Sequence, residues 1–139
     1  MITAVDTNIL LDVFGADPVF GQASARLLNR CLAEGAVTAC ALVWTETAAA
    51  FPSREAFSQA MSTLGIGFDA ISQASALEAA SAWRAYRAQG GKKDRVAADF
   101  LIGAHARHQC DRLLTRDRGF YRGYFQSLNV LNPLVAKNS

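Results

Sequence analysis

Short apolar segments alternate with longer amphipathic segments along almost the whole chain. The short segments have the length and composition of strands buried on both faces, whereas the longer ones carry apolar residues at helical spacing. Strands that alternate with helices favour a parallel sheet, because parallel neighbours need a long crossover connection between them. We therefore predict an α/β domain of three layers, with a central, mostly parallel sheet of about five strands and helices on both faces.

Turn and capping residues divide this pattern into elements. The predicted strands are Ile2–Val5, Ala36–Leu42, Gly65–Ile71, Leu113–Thr115 and Leu128–Leu131. The predicted helices are Thr7–Phe14, Val19–Glu34 after an Asp17-Pro18 start, Val43–Ala50, a helix capped by Ser53, a helix from the Ser72 cap to about Gln89, and Val96–Gln109. Since no repeat, linker or low-complexity segment interrupts the pattern, we expect a single domain over residues 1–139.

Composition excludes several classes of protein. A chain of 139 residues with 51% apolar residues can bury a substantial core, which excludes a disordered chain and a disulfide-stabilised miniprotein. Its three cysteines include no C-x-x-C pair, so we expect buried thiols rather than disulfides or a thiolate zinc site. The N-terminus lacks the features of a signal peptide, and no apolar run is long enough to span a membrane. The expected location is the cytoplasm.

Charge is distributed unevenly, although the net charge is only +2. Residues 1–83 hold three basic and eight acidic side chains, whereas residues 84–122 hold ten basic and four acidic ones. Such asymmetry is typical of a protein with one basic face for a polyanionic partner, and equally of a half that is solvated by arginine.

Four acidic residues are placed to meet at one edge of the predicted sheet. Asp6 directly follows the first strand, Glu46 follows the second, and Asp117 follows the fourth. Asp99 lies in the first turn of the helix that leads into the fourth strand. Ligand sites of parallel α/β sheets lie beyond the carboxyl ends of the strands, so we expect these four side chains to converge there.

Converging carboxylates repel one another unless a cation compensates their charge. Oxygen ligands without cysteine favour a hard cation such as Mg²⁺ or Mn²⁺. Such a cation makes water easier to deprotonate and polarises a phosphoryl oxygen, and a second one can stabilise the leaving oxygen. The constellation therefore predicts hydrolysis of phosphodiester bonds.

Each of these acids also has an ordinary structural interpretation. Asp6 can cap the helix that follows it, and Glu46 can interact with a helix dipole. Asp99 can pair with Arg95 one helical turn earlier, and Asp117 can serve as a turn residue. None of the four is specific alone, and only their common position at the sheet edge favours a site.

The neighbouring polar residues supply further candidates. Asn8 and Thr115 are placed to hydrogen-bond the acidic residues, and Arg116 and Arg118 are candidates for phosphate binding. We expect the remaining residues of these types to be solvated charges (Asp12, Asp94 and Asp111) or structural and surface residues (His105 and His108).

Sequence strings around these residues resemble those of the PIN-domain nucleases. They are Asp6-Thr7-Asn8 after a strand, Glu46 in a short helix, V-A-A-D-F-L-I-G-A-H-A around Asp99, and L-L-T-R-D-R-G-F-Y around Asp117. More narrowly, the chain resembles the VapC-type toxins of type II toxin–antitoxin systems. The similarity runs from Ile2 to about Pro133, and all four acidic positions are retained.

The resemblance implies a metal-dependent endoribonuclease. Asp6 and Asp99 would be the main Mg²⁺ ligands, Glu46 and Asp117 would complete the acidic pocket, and Asn8 and Thr115 would support it. It also implies a homodimer held inactive by a small antitoxin whose C-terminal segment occupies a groove near the site. The Ala48-Ala49-Ala50-Phe51 segment is a candidate for such an apolar dimer or partner surface, and core packing explains it equally well.

Two other functions stay open beside the nuclease. A receiver-type phosphoacceptor domain also gathers carboxylates around Mg²⁺, but it needs a lysine after a later strand, and none follows the fourth strand here. A non-catalytic RNA- or protein-binding module on the same fold would gain nothing from mutually repelling carboxylates. The sequence therefore favours the nuclease over both.

Overall fold

Five strands form one parallel sheet in the computed structural model, which describes residues 1–91, 97–117 and 119–134. The strands are β1 (Ile2–Val5), β2 (Ala36–Cys40), β3 (Gly67–Asp69), β4 (Arg112–Leu114) and β5 (Val130–Leu131). Their order is β3-β2-β1-β4-β5, and every neighbouring pair is parallel. The predicted α/β architecture with its parallel sheet is thus confirmed.

Helices connect the strands throughout the described residues. They are α1 (Thr7–Phe14), α2 (Gly21–Glu34), α3 (Ala41–Ala48), α4 (Arg54–Leu64), α5 (Gln73–Ala88), α6 (Ala97–Gln109) and α7 (Phe120–Tyr124). Ser53 and Ser72 cap α4 and α5 with their side chains, as the sequence predicted.

Several boundaries differ from the predicted ones, and β2 ends at Cys40 and α3 begins at Ala41, each two residues earlier than predicted. The helix α2 begins at Gly21, because the Asp17 carboxylate accepts from the backbone N–H groups of Val19 and Phe20 and holds a turn there. Strand β3 spans three residues instead of the predicted seven. The short helix α7 was not predicted at all.

The strand order places a topological switch point beside β1. The chain adds β2 and β3 on one side of β1 and then returns to add β4 and β5 on the other side. Right-handed crossovers with this reversal place α1 to α4 on one face of the sheet and α5 to α7 on the opposite face. The carboxyl ends of β1 and β4 therefore diverge into different connections, which opens a crevice between them.

An aromatic cluster surrounds Phe100 of α6. Phe100 is fully buried and contacts the rings of Trp83, Tyr86 and Phe120 at centroid distances of 5.2–5.9 Å. These rings join α5, α6 and α7, so the aromatic cluster holds the first turn of α6 in a fixed position over the sheet. No helix within the described ranges is long and apolar enough to cross a membrane.

One acidic residue was assigned wrongly from the sequence. We predicted that Asp12 faces solvent, but it is 3% exposed. Its carboxylate accepts from the Ser24 hydroxyl at 2.8 Å and from the Arg116 guanidinium at 2.6 and 3.1 Å. Since α1 turns Asp12 inward against α2, the residue is a buried ion-pair partner. Asp111 is exposed, as expected, and accepts from the Ile2 N–H, whereas Asp94 lies outside the described residues.

Candidate active site and metal centre

A cavity of about 380 Å³ opens at the switch point of the sheet. The four predicted acidic residues all line it, together with neutral residues from α1, α6 and α7: Asp6, Thr7, Asn8, Leu11, Glu46, Asp99, Ile102, Asp117 and Tyr121. Residues far apart in the sequence, from the ends of β1 and β4 and from α3 and α6, thus face one space. The predicted convergence at the sheet edge is therefore present in the structure.

Asp6 is the most deeply buried of the four, at 7% exposed. Its backbone N–H donates to the Leu114 carbonyl at 2.9 Å, which continues the pairing of β1 with β4 and fixes where the side chain begins. One carboxylate oxygen accepts from the Thr7 N–H at 2.7 Å and so caps α1. The carboxylate of Asp6 therefore both caps α1 and lines the cavity, so the two interpretations made from the sequence are compatible.

Burial raises the pKa of the Asp6 carboxyl. Hydrogen bonds from Thr115, Thr7 and Tyr121 oppose this rise, and the nearby Asp99 carboxylate adds to it. The charged form of Asp6 is thus disfavoured in the protein alone, and a cation in the cavity would favour it.

Thr115 connects several groups of the site through one hydroxyl. It donates to the second oxygen of Asp6 at 2.8 Å and accepts from the Asn8 amide at 3.3 Å and from the Asp117 N–H at 3.0 Å. The carbonyl oxygen of the Asn8 side chain in turn accepts from the Arg116 N–H at 3.2 Å. The two neutral residues predicted to support the acids therefore occupy that position.

The other three acids come from α6, from α3 and from the segment before α7. Asp99 lies in the first turn of α6, where the helix dipole favours negative charge. Glu46 projects from α3 at the exposed rim, and one of its oxygens accepts from the Thr7 hydroxyl at 2.7 Å. One oxygen of Asp117 accepts from the Phe120 N–H at 2.9 Å at the start of α7. The buried Asp6 and the exposed Glu46 therefore lie at opposite depths of the cavity.

Tyr121 is a member of the site that sequence analysis missed. It is 2% exposed, lines the cavity, and its hydroxyl donates to Asp6 at 3.2 Å. Burial and the adjacent carboxylates raise the pKa of Tyr121, so the phenol stays neutral and remains a donor. Its position depends on α7, which is only five residues long and therefore too short to show helical periodicity in the sequence.

Of the two arginines predicted to bind phosphate, Arg116 lies within the described residues. Arg116 is half-buried, holds Asp12 in a bidentate ion pair, and lies 4.1 Å from the centre of the Phe20 ring. Its charge is therefore already compensated within the protein. Arg118 and the basic segment 92–95 lie outside the described residues.

The donor set of the cavity fits a hard divalent cation. Carboxylate, amide and hydroxyl oxygens line it, and neither a thiol nor an imidazole belongs to its described lining. The raised pKa of Asp6 has the same implication, since burying a carboxylate next to another is unfavourable without a positive charge.

Comparison with known proteins agrees with this geometry. The chain matches the family model of the PIN domain over residues 3–126. No curated protein sequence matches it significantly.

Several solved structures share the fold. They include the VapBC-1 complex of nontypeable Haemophilus influenzae, with a TM-score of 0.74, 17% identity, and coverage of 96% of this chain and 99% of that chain. The DNA-bound VapBC2 complex of Rickettsia felis has a TM-score of 0.73 and 15% identity, covering 95% and 98%. The sarcin–ricin-loop-cleaving toxin VapC20 of Mycobacterium tuberculosis has a TM-score of 0.58 and 16% identity, covering 87% and 93%.

Proposed function

The chain belongs to the PIN-domain family, and from the acidic cavity at its switch point we propose that it is a Mg²⁺- or Mn²⁺-dependent endoribonuclease. The observation that carries this proposal is the convergence of Asp6, Glu46, Asp99 and Asp117 on one cavity lined by oxygen donors. A non-catalytic binding module would keep four repelling carboxylates at a cost in stability and without a use for them.

Within the proposed mechanism, Asp6 and Asp99, which both line the cavity, would be the main ligands of the cation. A bound Mg²⁺ or Mn²⁺ would supply Lewis-acid polarisation of the scissile phosphate and of the attacking water. Thr115 and Tyr121 orient the Asp6 carboxylate through their hydrogen bonds. Glu46 accepts the proton of the attacking water, because its carboxylate lies at the exposed rim where RNA arrives, and Asp117 completes the negative pocket.

Cleavage assays with a matched pair of variants test this proposal. Purified protein is incubated with total cellular RNA, single-stranded oligonucleotides and a sarcin–ricin-loop oligonucleotide, in Mg²⁺, in Mn²⁺ and in EDTA. We expect metal-dependent cuts that Asp99→Asn abolishes. The control is Asp111→Asn, which also removes one carboxylate but lies at the amino end of β4, where it contacts the Ile2 N–H. Cleavage that persists in Asp99→Asn, or that EDTA leaves intact, would refute the assignment.

We further propose that the enzyme is the VapC-type toxin of a toxin–antitoxin pair. Structures that share the fold include toxin–antitoxin complexes. A groove of about 590 Å³ runs between α3 and α4, and its lining is mostly apolar: Trp44, Thr45, Ala48, Ala49, Phe51, Ser53, Arg54, Phe57 and Ser58. Helix α3 carries both this groove and Glu46, so an antitoxin segment bound here would lie beside the acidic cavity.

The groove is tested with two neighbouring alanines. Ala49 lines it, whereas Ala50 is also exposed but does not line it. Co-expression with the protein encoded by the adjacent short reading frame should give a complex that Ala49→Arg weakens and Ala50→Arg preserves. Both variants should cleave RNA when free of partner. Equal binding by both would place the antitoxin elsewhere, without bearing on the nuclease itself.

The domain organisation, the oligomeric state and the location of the protein complete the proposed function. We propose that residues 1–139 form one nuclease domain, that two copies associate as a homodimer, and that the protein acts in the cytoplasm on RNA. Sedimentation equilibrium of the toxin freed of antitoxin measures the stoichiometry, and a monomer at micromolar concentration would contradict the dimer.

A further inference from the structure

A second cluster of metal-binding groups lies away from the acidic cavity. Asp69 ends β3, His105 lies in the second half of α6, and Cys110 follows α6 in the turn before β4. One ligand atom from each of the three lies within 4.8 Å of the others. Asp99 and His105 are six residues apart on the same helix, which separates them by about 9 Å along its axis. The cluster and the acidic cavity are therefore distinct sites on the two halves of α6.

The neighbouring side chains hold this cluster in place. The Nε2 atom of His105, a residue only 1% exposed, donates to the Asp69 carboxylate at 2.8 Å. The Gln109 amide donates to the same carboxylate oxygen at 3.2 Å and to the Ala70 carbonyl at 2.8 Å. The Cys110 sulfur lies 3.6 Å from the Thr38 hydroxyl. The imidazole is thus fixed by its burial, and the other two ligands approach it from the side of β2 and β3.

We propose that Asp69, His105 and Cys110 bind a zinc ion. Sulfur, nitrogen and oxygen donors together select Zn²⁺ over Mg²⁺, whereas the oxygen-lined acidic cavity has the opposite preference. Tetrahedral zinc with bonds of about 2.0–2.3 Å sets its ligand atoms about 3.3–3.6 Å apart. Because the three ligand atoms lie within 4.8 Å of one another, side-chain movements of about 1 Å would give this spacing, and water would take the fourth position.

Zinc binding changes the protonation of two ligands in a defined way. The Cys110 thiol releases its proton to solvent and binds as the thiolate. The His105 ring gives up the hydrogen bond from Nε2 to Asp69, binds the ion through Nε2, and carries its one proton on Nδ1. Asp69 exchanges that hydrogen bond for a bond to the metal.

The zinc site would stabilise the fold without taking part in RNA cleavage. It joins the edge strand β3 to the C-terminal half of α6, whose first turn carries Asp99. Because zinc binds the folded protein and not the unfolded chain, it raises the melting temperature. Zinc bound at this site does not change which residues perform hydrolysis. An experiment that refutes zinc binding therefore leaves the proposed nuclease activity untouched, and the reverse also holds.

Metal titrations in excess Mg²⁺ test the proposal. Mg²⁺ would fill the acidic cavity and leave the site that contains the Cys110 sulfur open to other metals. Co²⁺ serves as the spectroscopic probe, because a cobalt–thiolate bond absorbs in the near ultraviolet, and Zn²⁺ should displace it. We expect one equivalent of Co²⁺ with this absorption, also in an Asp99→Asn background, and a higher melting temperature in Zn²⁺.

Matched variants identify the ligands. Cys110→Ser should abolish the absorption and weaken Zn²⁺ binding about tenfold or more. Cys31→Ala removes a thiol in α2 and should leave the absorption intact. Asp69→Asn should weaken binding, whereas His108→Gln, on the same helix as His105, should not. All variants are first compared by circular dichroism. Absence of the thiolate absorption in folded wild-type protein, or its survival in Cys110→Ser, would overturn the proposal and leave an Asp–His hydrogen bond that only stabilises the core.

Discussion

Replacing Thr115 by valine removes the hydroxyl that connects three groups of the acidic site. The side chain keeps its shape and is fully buried, so no cavity is created. The change deletes a hydrogen bond to the charged Asp6 carboxylate, worth about 1.5–3 kcal/mol, and neutral bonds from Asn8 and the Asp117 N–H, each worth about 0.5–1.5 kcal/mol. We expect the free energy of unfolding to fall by about 1–3 kcal/mol, since part of this loss is recovered by burying a methyl group.

The functional effect of Thr115→Val should exceed its effect on stability. Without the hydroxyl, the Asp6 carboxylate loses one of the hydrogen bonds that orient it towards the cavity, and loss of a residue that hydrogen-bonds a metal ligand typically weakens metal binding by about 10–100-fold. The assay is RNA cleavage as a function of Mg²⁺ concentration, together with thermal unfolding. The Mg²⁺ concentration for half-maximal cleavage should rise by about that factor, whereas the rate at saturating Mg²⁺ should change less.

Thr47 provides the matched control for this experiment. It is also fully buried and lies next to Glu46 on α3, but its hydroxyl has no hydrogen-bond partner among the described residues. Thr47→Val makes the same chemical change and should be neutral or stabilising, with an unchanged Mg²⁺ requirement. If both variants shift the Mg²⁺ requirement equally, or neither does, the hydroxyl of Thr115 does not position Asp6.

Three further changes probe the site and its support. Asp6→Asn should raise the melting temperature in EDTA at neutral pH, because burial raises the pKa of Asp6 and disfavours its charged form. The raised pKa gives the wild-type protein extra stability below the pKa of this carboxyl in the unfolded chain, and that stability is lost as the pH rises through the folded pKa. The difference in melting temperature between Asp6→Asn and the wild type should therefore disappear in acid, and a difference that does not change with pH would contradict this reasoning. Tyr121→Phe removes one of the three described hydrogen-bond donors to Asp6 and should raise the Mg²⁺ requirement about tenfold, with a loss of stability no larger than that of Thr115→Val, and an unchanged requirement would exclude it from the site. Gly103→Ala places a methyl group 2.4 Å from the Phe125 ring, and unfolding measurements should show a net loss of roughly 1–2 kcal/mol, whereas a gain would mean that the ring can move aside.

Local patterns along the chain were sufficient to predict the sheet and the cavity. Parallel strands place whatever follows them at one edge, so the positions of Asp6, Glu46 and Asp117 relative to their strands were enough to predict that they meet. Asn8 and Thr115 followed from the same reasoning, and the structure adds only which atoms they contact. The capping serines were equally local signals.

Contacts between distant segments could not be predicted in this way. Asp12 looked solvated because its partner Arg116 is 104 residues away in the sequence. The same holds for Tyr121, whose contact with Asp6 spans 115 residues and depends on a helix of one turn. Asp69 and His105 looked unrelated until the fold brought β3 next to α6. Sequence spacing reveals which residues share an edge or a face, whereas pairing across layers is decided by tertiary packing.

Locating a divalent cation directly is the measurement that bears most closely on the proposed mechanism. Crystals of the partner-free protein grown with Mn²⁺ give anomalous scattering, which places the ion without reference to activity. We predict a peak in the cavity between the carboxylates of Asp6 and Asp99, and its loss in crystals of Asp99→Asn. A well-ordered cavity without a peak at saturating Mn²⁺ would contradict a metal-dependent nuclease at this site.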